Sequence, residues 1–134
     1  MTLVIDASVA VQWFLDEPGS EAASRLLTGR EVLAAPDLIL LEVGSVLGRA
    51  VRSDALPFDL AQEALDGLPR HLALYPLVDL AQEAFAGAGR FGGSIYDFCY
   101  IALGRRLKAK VVSNDKELIK IARKAGVEAM RIGG

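Results

Sequence analysis

The chain has 134 residues, 52% of them hydrophobic, and its 15 basic and 17 acidic side chains leave a net charge of −2. That length suits one domain over residues 1–134, able to bury ~65–70% of the surface its unfolded chain exposes, and the composition excludes a disordered chain. No apolar run approaches the ~18 residues of a membrane-spanning helix. Met1-Thr2-Leu3-Val4-Ile5-Asp6 lacks a basic flank and meets an acid too early for a secretory signal, so a soluble, cytoplasmic protein is expected.

Apolar clusters and helical periods alternate along the chain. A strand is expected near residues 2–6, helices near 8–15 and 19–28, a strand over 31–35, helices over 37–52 and 58–68, and a strand over 72–76. A helix near 79–87 then leads through a loop, Gly87-Ala88-Gly89-Arg90-Phe91-Gly92-Gly93, to a helix over 94–107. A strand over 110–113, a helix over 115–125 and a strand over 128–132 complete the series. Pro18, Pro36 and Pro57 sit beside helix starts, where a missing N–H does little harm. The hexapeptide Asp-Leu-Ala-Gln-Glu-Ala occurs at 59–64 and again at 79–84, and in each copy Asp precedes Gln by three residues, the form of a helix capping box. Two copies do not make a solenoid. The alternation predicts an α/β fold of three layers, α/β/α, around a parallel sheet of four to five strands, with ligands bound beyond the carboxyl ends of the strands.

Cys99 is the only cysteine and His71 the only histidine. The apolar neighbours of Cys99 mark it as a core thiol, and His71 beside Arg70 reads as a capped or exposed structural residue, which leaves no zinc ligand set. Charge is uneven along the chain. Residues 1–103 carry 6 basic and 14 acidic groups, whereas 104–134 carry 9 basic and 3 acidic. Arg105, Arg106, Lys108, Lys110, Lys116, Lys120, Arg123 and Lys124 could attract a polyanion, or simply solvate a last helix and complement its C-terminal dipole.

Four carboxylates stand out by position. Asp6 closes the apolar run Leu3-Val4-Ile5, and Asp115 closes Val111-Val112-Ser113-Asn114, so both are expected at strand ends beside helix starts. Glu42 and Asp97 fall within apolar helices. Each has an ordinary alternative: Asp6 and Asp115 as helix caps, Ser94-x-x-Asp97 as a capping box, and Glu42 as the partner of Arg49 in a salt bridge. Glu42 has the poorest such excuse, because it shares a helix stripe with Leu38, Ile39 and Val46, and burying an unpaired carboxylate costs several kcal/mol. The expected topology can bring all four to one edge of the sheet. Clustered carboxylates either take up protons or bind a neutralising cation. Hard oxygen donors without histidine favour Mg²⁺, with Mn²⁺ as a substitute, in one- or two-ion phosphodiester hydrolysis.

These residues resemble the PIN-domain ribonucleases, and among them the VapC-type toxins of toxin–antitoxin pairs, over nearly the whole chain. Val4-Ile5-Asp6-Ala7-Ser8-Val9-Ala10-Val11 followed by Trp13-Phe14 is similar to the family's opening strand and helix. Pro36-Asp37-Leu38-Ile39-Leu40-Leu41-Glu42-Val43 resembles its second motif, Tyr96-Asp97-Phe98-Cys99-Tyr100-Ile101-Ala102-Leu103 its third, and Val111-Val112-Ser113-Asn114-Asp115-Lys116-Glu117-Leu118 its fourth. Two positions depart: Ser45 where many members have asparagine, and Ser113 in place of the common threonine. The resemblance implies a PIN-like α/β/α domain with Asp6, Glu42, Asp97 and Asp115 as metal-binding catalytic acids, supported by Ser8, Ser113, Asn114 and Arg49. It further implies a homodimeric Mg²⁺-dependent endoribonuclease, silenced by a VapB-type antitoxin whose C-terminal segment reaches the acidic pocket. Within that picture Trp13 and Phe14 either stack on RNA bases or pack in the core.

Two other readings compete. Gly87-x-Gly89-x-x-Gly92 matches the glycine pattern of a dinucleotide-binding turn, with Asp115 beyond it, but that motif must follow a strand, whereas residues 79–86 read as a helix. A phosphate-accepting Mg²⁺-binding signalling domain shares the size and the α/β pattern. It requires paired acids after the first strand, where this chain has Asp6-Ala7-Ser8.

Overall fold

Five parallel strands form the centre of the computed structural model, which describes residues 1–132. These are β1 (Thr2–Ile5), β2 (Val32–Pro36), β3 (Ala73–Tyr75), β4 (Lys110–Ser113) and β5 (Ala129–Arg131), in the order β3-β2-β1-β4-β5. Every neighbouring pair runs parallel. The chain builds outward from β1 to β3, then returns to lay β4 against the other side of β1. That reversal opens a crevice at the carboxyl ends of β1 and β4, where sheets of this kind bind ligands. The register pairs Val4 with Val111 and Ile5 with Val112. It brings Asp6 level with Ser113, and the Asp6 amide donates to the Val112 carbonyl at 3.0 Å.

Among the described residues seven α-helices flank the sheet: α1 (Ala7–Ala10), α2 (Ser20–Arg25), α3 (Ile39–Arg52), α4 (Phe58–Gly67), α5 (Ala81–Phe91), α6 (Ile95–Leu107) and α7 (Lys116–Lys124). The central strands are apolar on both faces because helices cover both: Val4, Ile5, Ala34, Ala35, Val111 and Val112 are all buried. α6 is buried without interruption from Phe98 to Gly104, as expected of a helix apolar all round. It packs against α5, α7 and the strands β1, β2 and β4. α7 is amphipathic, with Leu118, Ile119, Ile121 and Ala122 inward and Lys116, Lys120, Arg123 and Lys124 exposed. Among the described residues no helix is long and apolar enough to cross a membrane.

The α/β/α architecture and the five-strand parallel sheet match the expectation, and four local details correct it. The first two helices are short, α1 and α2 each ending in a 3₁₀ turn (Val11–Trp13 and Leu26–Thr28). The capping boxes expected at Asp59 and Asp79 do not form. Asp59 is already inside α4, whose N-cap is Pro57, and Asp79 closes a 3₁₀ turn ahead of α5, so neither side chain caps. Arg106 instead donates to the Asp79 carbonyl. The cationic tail serves the fold in two further places, Arg105 donating to the Ala125 carbonyl at 2.7 Å and Arg123 to that of Ala129 at 3.0 Å.

The fourth correction removes the dinucleotide reading. Residues 87–91 are not a loop: α5 continues through Phe91 and stops at Gly92, whose φ of 92° ends the helix. Gly87 and Gly89 therefore lie inside a helix, and what leads into that helix is the 3₁₀ turn Leu77–Asp79, not a strand. Gly87 has a packing reason instead, because a Cβ there would sit 2.0 Å from Phe98 Cε1. Its absence lets α5 and α6 close on each other, with Phe91 and Phe98 stacked at 6.2 Å.

Gly87→Ala gains up to ~1 kcal/mol of helix propensity, but displacing Phe98 from a packed core costs about 1–3 kcal/mol, more when the ring cannot turn away. The expected result is a lower urea midpoint, partly restored by Phe98→Leu in the same chain; an unchanged or higher midpoint for Gly87→Ala would contradict the packing account.

Candidate active site

Four segments far apart in sequence each deliver one carboxylate to the crevice. Asp6 and Asp115 hold the N-cap positions of α1 and α7, while Glu42 and Asp97 lie in the first turns of α3 and α6. Helix N-termini carry partial positive charge and tolerate acids there. With Ser8, Ser45 and Arg49 they line an open cleft of about 330 Å³. Hollows of about 690 and 890 Å³ lie elsewhere on the surface, but in both the basic side chains equal or outnumber the acids, whereas the cleft has four acids to one arginine.

Asp6 is 7% exposed. Its side chain makes no helix-capping bond; Oδ2 accepts from Ser8 Oγ at 2.6 Å and from Ser113 Oγ at 2.8 Å. Burial pushes its carboxyl above the usual range, and the two serine hydroxyls partly offset that push. Ser113 also accepts from the Asp115 amide at 2.9 Å, so one hydroxyl ties the ends of β1 and β4 together. Ser8 accepts from the Asn114 amide at 2.9 Å, and the Asn114 side chain donates to the Ser8 carbonyl and to Gln12 Oε1. Gln12 in turn donates to the Pro18 carbonyl at 2.8 Å.

Asp115 is a true cap, accepting from the Glu117 and Leu118 amides at 2.9 and 3.3 Å. It lines the cleft as well, so the structural and functional readings of this residue coexist. Asp97 donates its amide to Ser94 Oγ at 3.0 Å, which confirms Ser94 as the N-cap of α6. The salt bridge between Glu42 and Arg49 is not formed. Arg49 reaches Ser45 Oγ at 3.5 Å, and Glu42 Oε1 accepts from Tyr100 Oη at 2.5 Å. Burial raises the Glu42 carboxyl, Tyr100 counters it, and Asp6 adds repulsion.

The four acids share an uncompensated charge. The salt bridges among the described residues join Arg25 to Glu21 and Lys110 to Glu128, none in the cleft. Burial first, then repulsion from Asp115, Asp6 and Glu42, pushes the Asp97 carboxyl from 3.8 to about 6. Among the described residues no three of these groups close into a ready-made ligand cage, yet Asp97 feels all three of the others. Such an arrangement fits a hard divalent cation that keeps part of its water shell and is held from several sides by oxygen. Zinc is a poor match, since neither His71 nor Cys99 lines the cleft.

Two further residues belong to the site's frame, Tyr100 and Gln12. Tyr100 sits three positions after Asp97 on α6, and Gln12 is the one amide side chain in the run Val9–Phe14. A polar group on an otherwise buried stripe was the available sign for both. Trp13 is committed to the fold: its indole N–H donates to the Ala23 carbonyl at 2.9 Å, and its ring meets Phe14 and His71 edge-on.

A family model described as the PIN domain matches residues 3–124. Among curated relatives, Ribonuclease VapC3 of Pyrobaculum aerophilum is 31% identical over 121 residues, covering 88% of this chain and 92% of that protein. Ribonuclease VapC1 of Mycobacterium tuberculosis is 32% identical over 116 residues, 86% of each. The crystal structure of PAE2754 from Pyrobaculum aerophilum superposes with a TM-score of 0.73 at 19% identity, covering 98% of this chain and 92% of that one, a likeness of fold.

The raised Asp97 carboxyl makes stability depend on pH. The folded chain holds a proton that the unfolded chain releases near pH 3.8, so this contribution is fully present below that pH and is lost as pH rises through about 6. In chelator, wild-type melting temperature should fall over that interval, and Asp97→Asn should flatten the fall and melt higher at neutral pH. An Asp97→Asn protein that melts lower than wild type at pH 7 in chelator would show that the cluster is not under repulsion.

Proposed function

The chain belongs to the PIN-domain family, and from that premise we propose that it is a Mg²⁺-dependent endoribonuclease acting as the toxin of a toxin–antitoxin pair. The observation that carries this reading is the cleft itself: four carboxylates from four separate segments, no cationic partner among the described residues, at the carboxyl edge of a parallel sheet. The name ribonuclease on the two curated relatives described above supports it.

In this reading Asp6 and Asp97 hold the principal ion, directly or through water, while Glu42 and Asp115 complete its shell or orient the attacking water. A divalent cation in such a site neutralises acids and phosphate together and lowers the pKa of bound water. The chain's own part is to keep the acids in place. Ser8 and Ser113 fix the Asp6 carboxylate, the α7 amides fix Asp115, and the Gln12–Asn114 chain anchors Ser8. Arg49 is the cation placed at the cleft to meet a backbone phosphate, a contact that confers affinity and little sequence choice. Ion preference follows from hard oxygen donors, Mg²⁺ first and Mn²⁺ as substitute.

The partner in this reading is a VapB-type antitoxin. An arginine from such a partner would be drawn to the unpaired carboxylates and would take the place of ion or substrate. Leu41 on α3 and Phe58 and Leu60 on α4 are exposed, and they offer apolar surface to the antitoxin or to a second copy in a homodimer. In this reading the protein acts in the cytoplasm, on cellular RNA.

Purified protein should cut single-stranded or loop RNA with Mg²⁺ or Mn²⁺ and stop in chelator. Asp6→Asn and Asp97→Asn should each lose more than the roughly 10–100-fold that a supporting contact is worth, with wild-type circular dichroism. The assignment fails if no RNA in a total cellular pool is cut with either metal, or if both variants cut like wild type.

A further inference from the structure

Tyr100 holds Glu42 from inside the core. Its phenol donates to Glu42 Oε1 at 2.5 Å across 58 residues of sequence. The tyrosine is fully buried, 0% exposed, and it follows Asp97 by three residues, so both lie on one side of α6. Packing alone does not call for its hydroxyl: phenylalanine would fill nearly the same space without a polar atom that must find a partner.

The other three acids are aspartates, and of these Asp6 takes a hydrogen bond from a distant segment, at Ser113. Asp6 is held by Ser8 and Ser113, Asp115 by the first amides of its own helix, and Asp97 sits in a turn closed by Ser94. Glu42 has the longest side chain of the four and one more rotatable bond than an aspartate. Tyr100 is the hydrogen-bond partner of its carboxylate among the described residues. Without that bond the carboxylate would sample several rotamers, and an ion would have to immobilise it on binding.

We propose that Tyr100 is a positioning residue: its hydroxyl fixes one oxygen of Glu42 at the wall of the cleft and leaves the other for the divalent cation. The inference rests on the metal-dependent reading above and assigns a role to a residue outside the acid set. Tyr100 touches neither substrate nor ion; it acts through Glu42.

The test titrates Mn²⁺ into chelator-stripped full-length protein and counts free ion by electron paramagnetic resonance, for wild type, Tyr100→Phe, Glu42→Asp and the double variant. Tyr100→Phe should weaken Mn²⁺ binding by roughly 10–100-fold, lower kcat for RNA cleavage, and leave KM for RNA and the metal-free melting temperature near wild type. Glu42→Asp keeps the charge but withdraws the carboxylate by one methylene, and should weaken Mn²⁺ binding to a similar degree. Because both changes break the same contact, the double variant should bind no more weakly than the weaker single variant. Wild-type Mn²⁺ affinity in Tyr100→Phe overturns the inference, whatever the melting temperature does, and so do losses that add in the double variant. Should Tyr100→Phe not fold, Glu42→Asp decides: wild-type affinity there overturns the inference. Wild-type protein that binds no Mn²⁺ overturns the metal reading and this inference together, a result distinct from wild-type binding with an unchanged Tyr100→Phe.

Discussion

Mutual repulsion among four carboxylates at one end of a small sheet is the constraint around which this molecule is arranged. Asp6, Glu42, Asp97 and Asp115 meet where β1 and β4 part, and no cation among the described residues neutralises them. Each sits at an N-cap or in a first helical turn, where backbone amides supply partial positive charge. That help is small, on the order of 0.3–1 kcal/mol per exposed acid, and it leaves Asp97 holding its proton to about pH 6. The cleft is therefore a strained place in the fold, poised for any ligand that brings positive charge.

The rest of the structure keeps that cluster from relaxing. β1 and β4 are locked in register and joined at their ends by Ser113, which accepts from the Asp115 amide and donates to Asp6. α6 carries Asp97 at its tip and Tyr100 one turn later, and it cannot swing away because its buried middle is enclosed by α5, α7 and the sheet. The close approach of α5 at Gly87 tightens that enclosure through Phe91 and Phe98. Packing energy gathered far from the cleft thus holds the acids together, a common way for a functional site to be paid for.

The proposed activity and its proposed control draw on the same electrostatics. In the proposed function a divalent ion with an RNA phosphate, or an arginine from an antitoxin, would each answer the same deficit of positive charge, so the two would compete without needing any conformational switch. Arg49 is the cation among the residues lining the cleft, and it bonds to Ser45, not to an acid. Its freedom from Glu42 is consistent with a role toward phosphate.

Much of this was readable from the chain, and the division has physical causes. Alternating apolar runs and helical periods were enough for the α/β class, the parallel sheet and the order of elements, because burial on both faces leaves a local composition mark. The four acids were visible as charges at the ends or on the stripes of apolar segments, places where solvation is lost. Gly87-x-Gly89-x-x-Gly92 misled because glycine marks both loops and close helix contacts, and only the position of the Phe98 ring, eleven residues on, tells which. The capping boxes at Asp59 and Asp79 failed for a related reason: the helix start was set by Pro57 in one case and by a 3₁₀ turn in the other. Which partner Glu42 takes was equally beyond local reading. Sequence proximity offered Arg49, one helical turn pair away, whereas the fold supplied Tyr100 from another helix. Composition and periodicity by themselves determined the layers, the core and the candidate acids, since those depend on how neighbours in sequence meet water. Only the tertiary structure decided which oxygen meets which hydroxyl, since a hydrogen bond depends on distances of about 3 Å between segments that the chain brings together last.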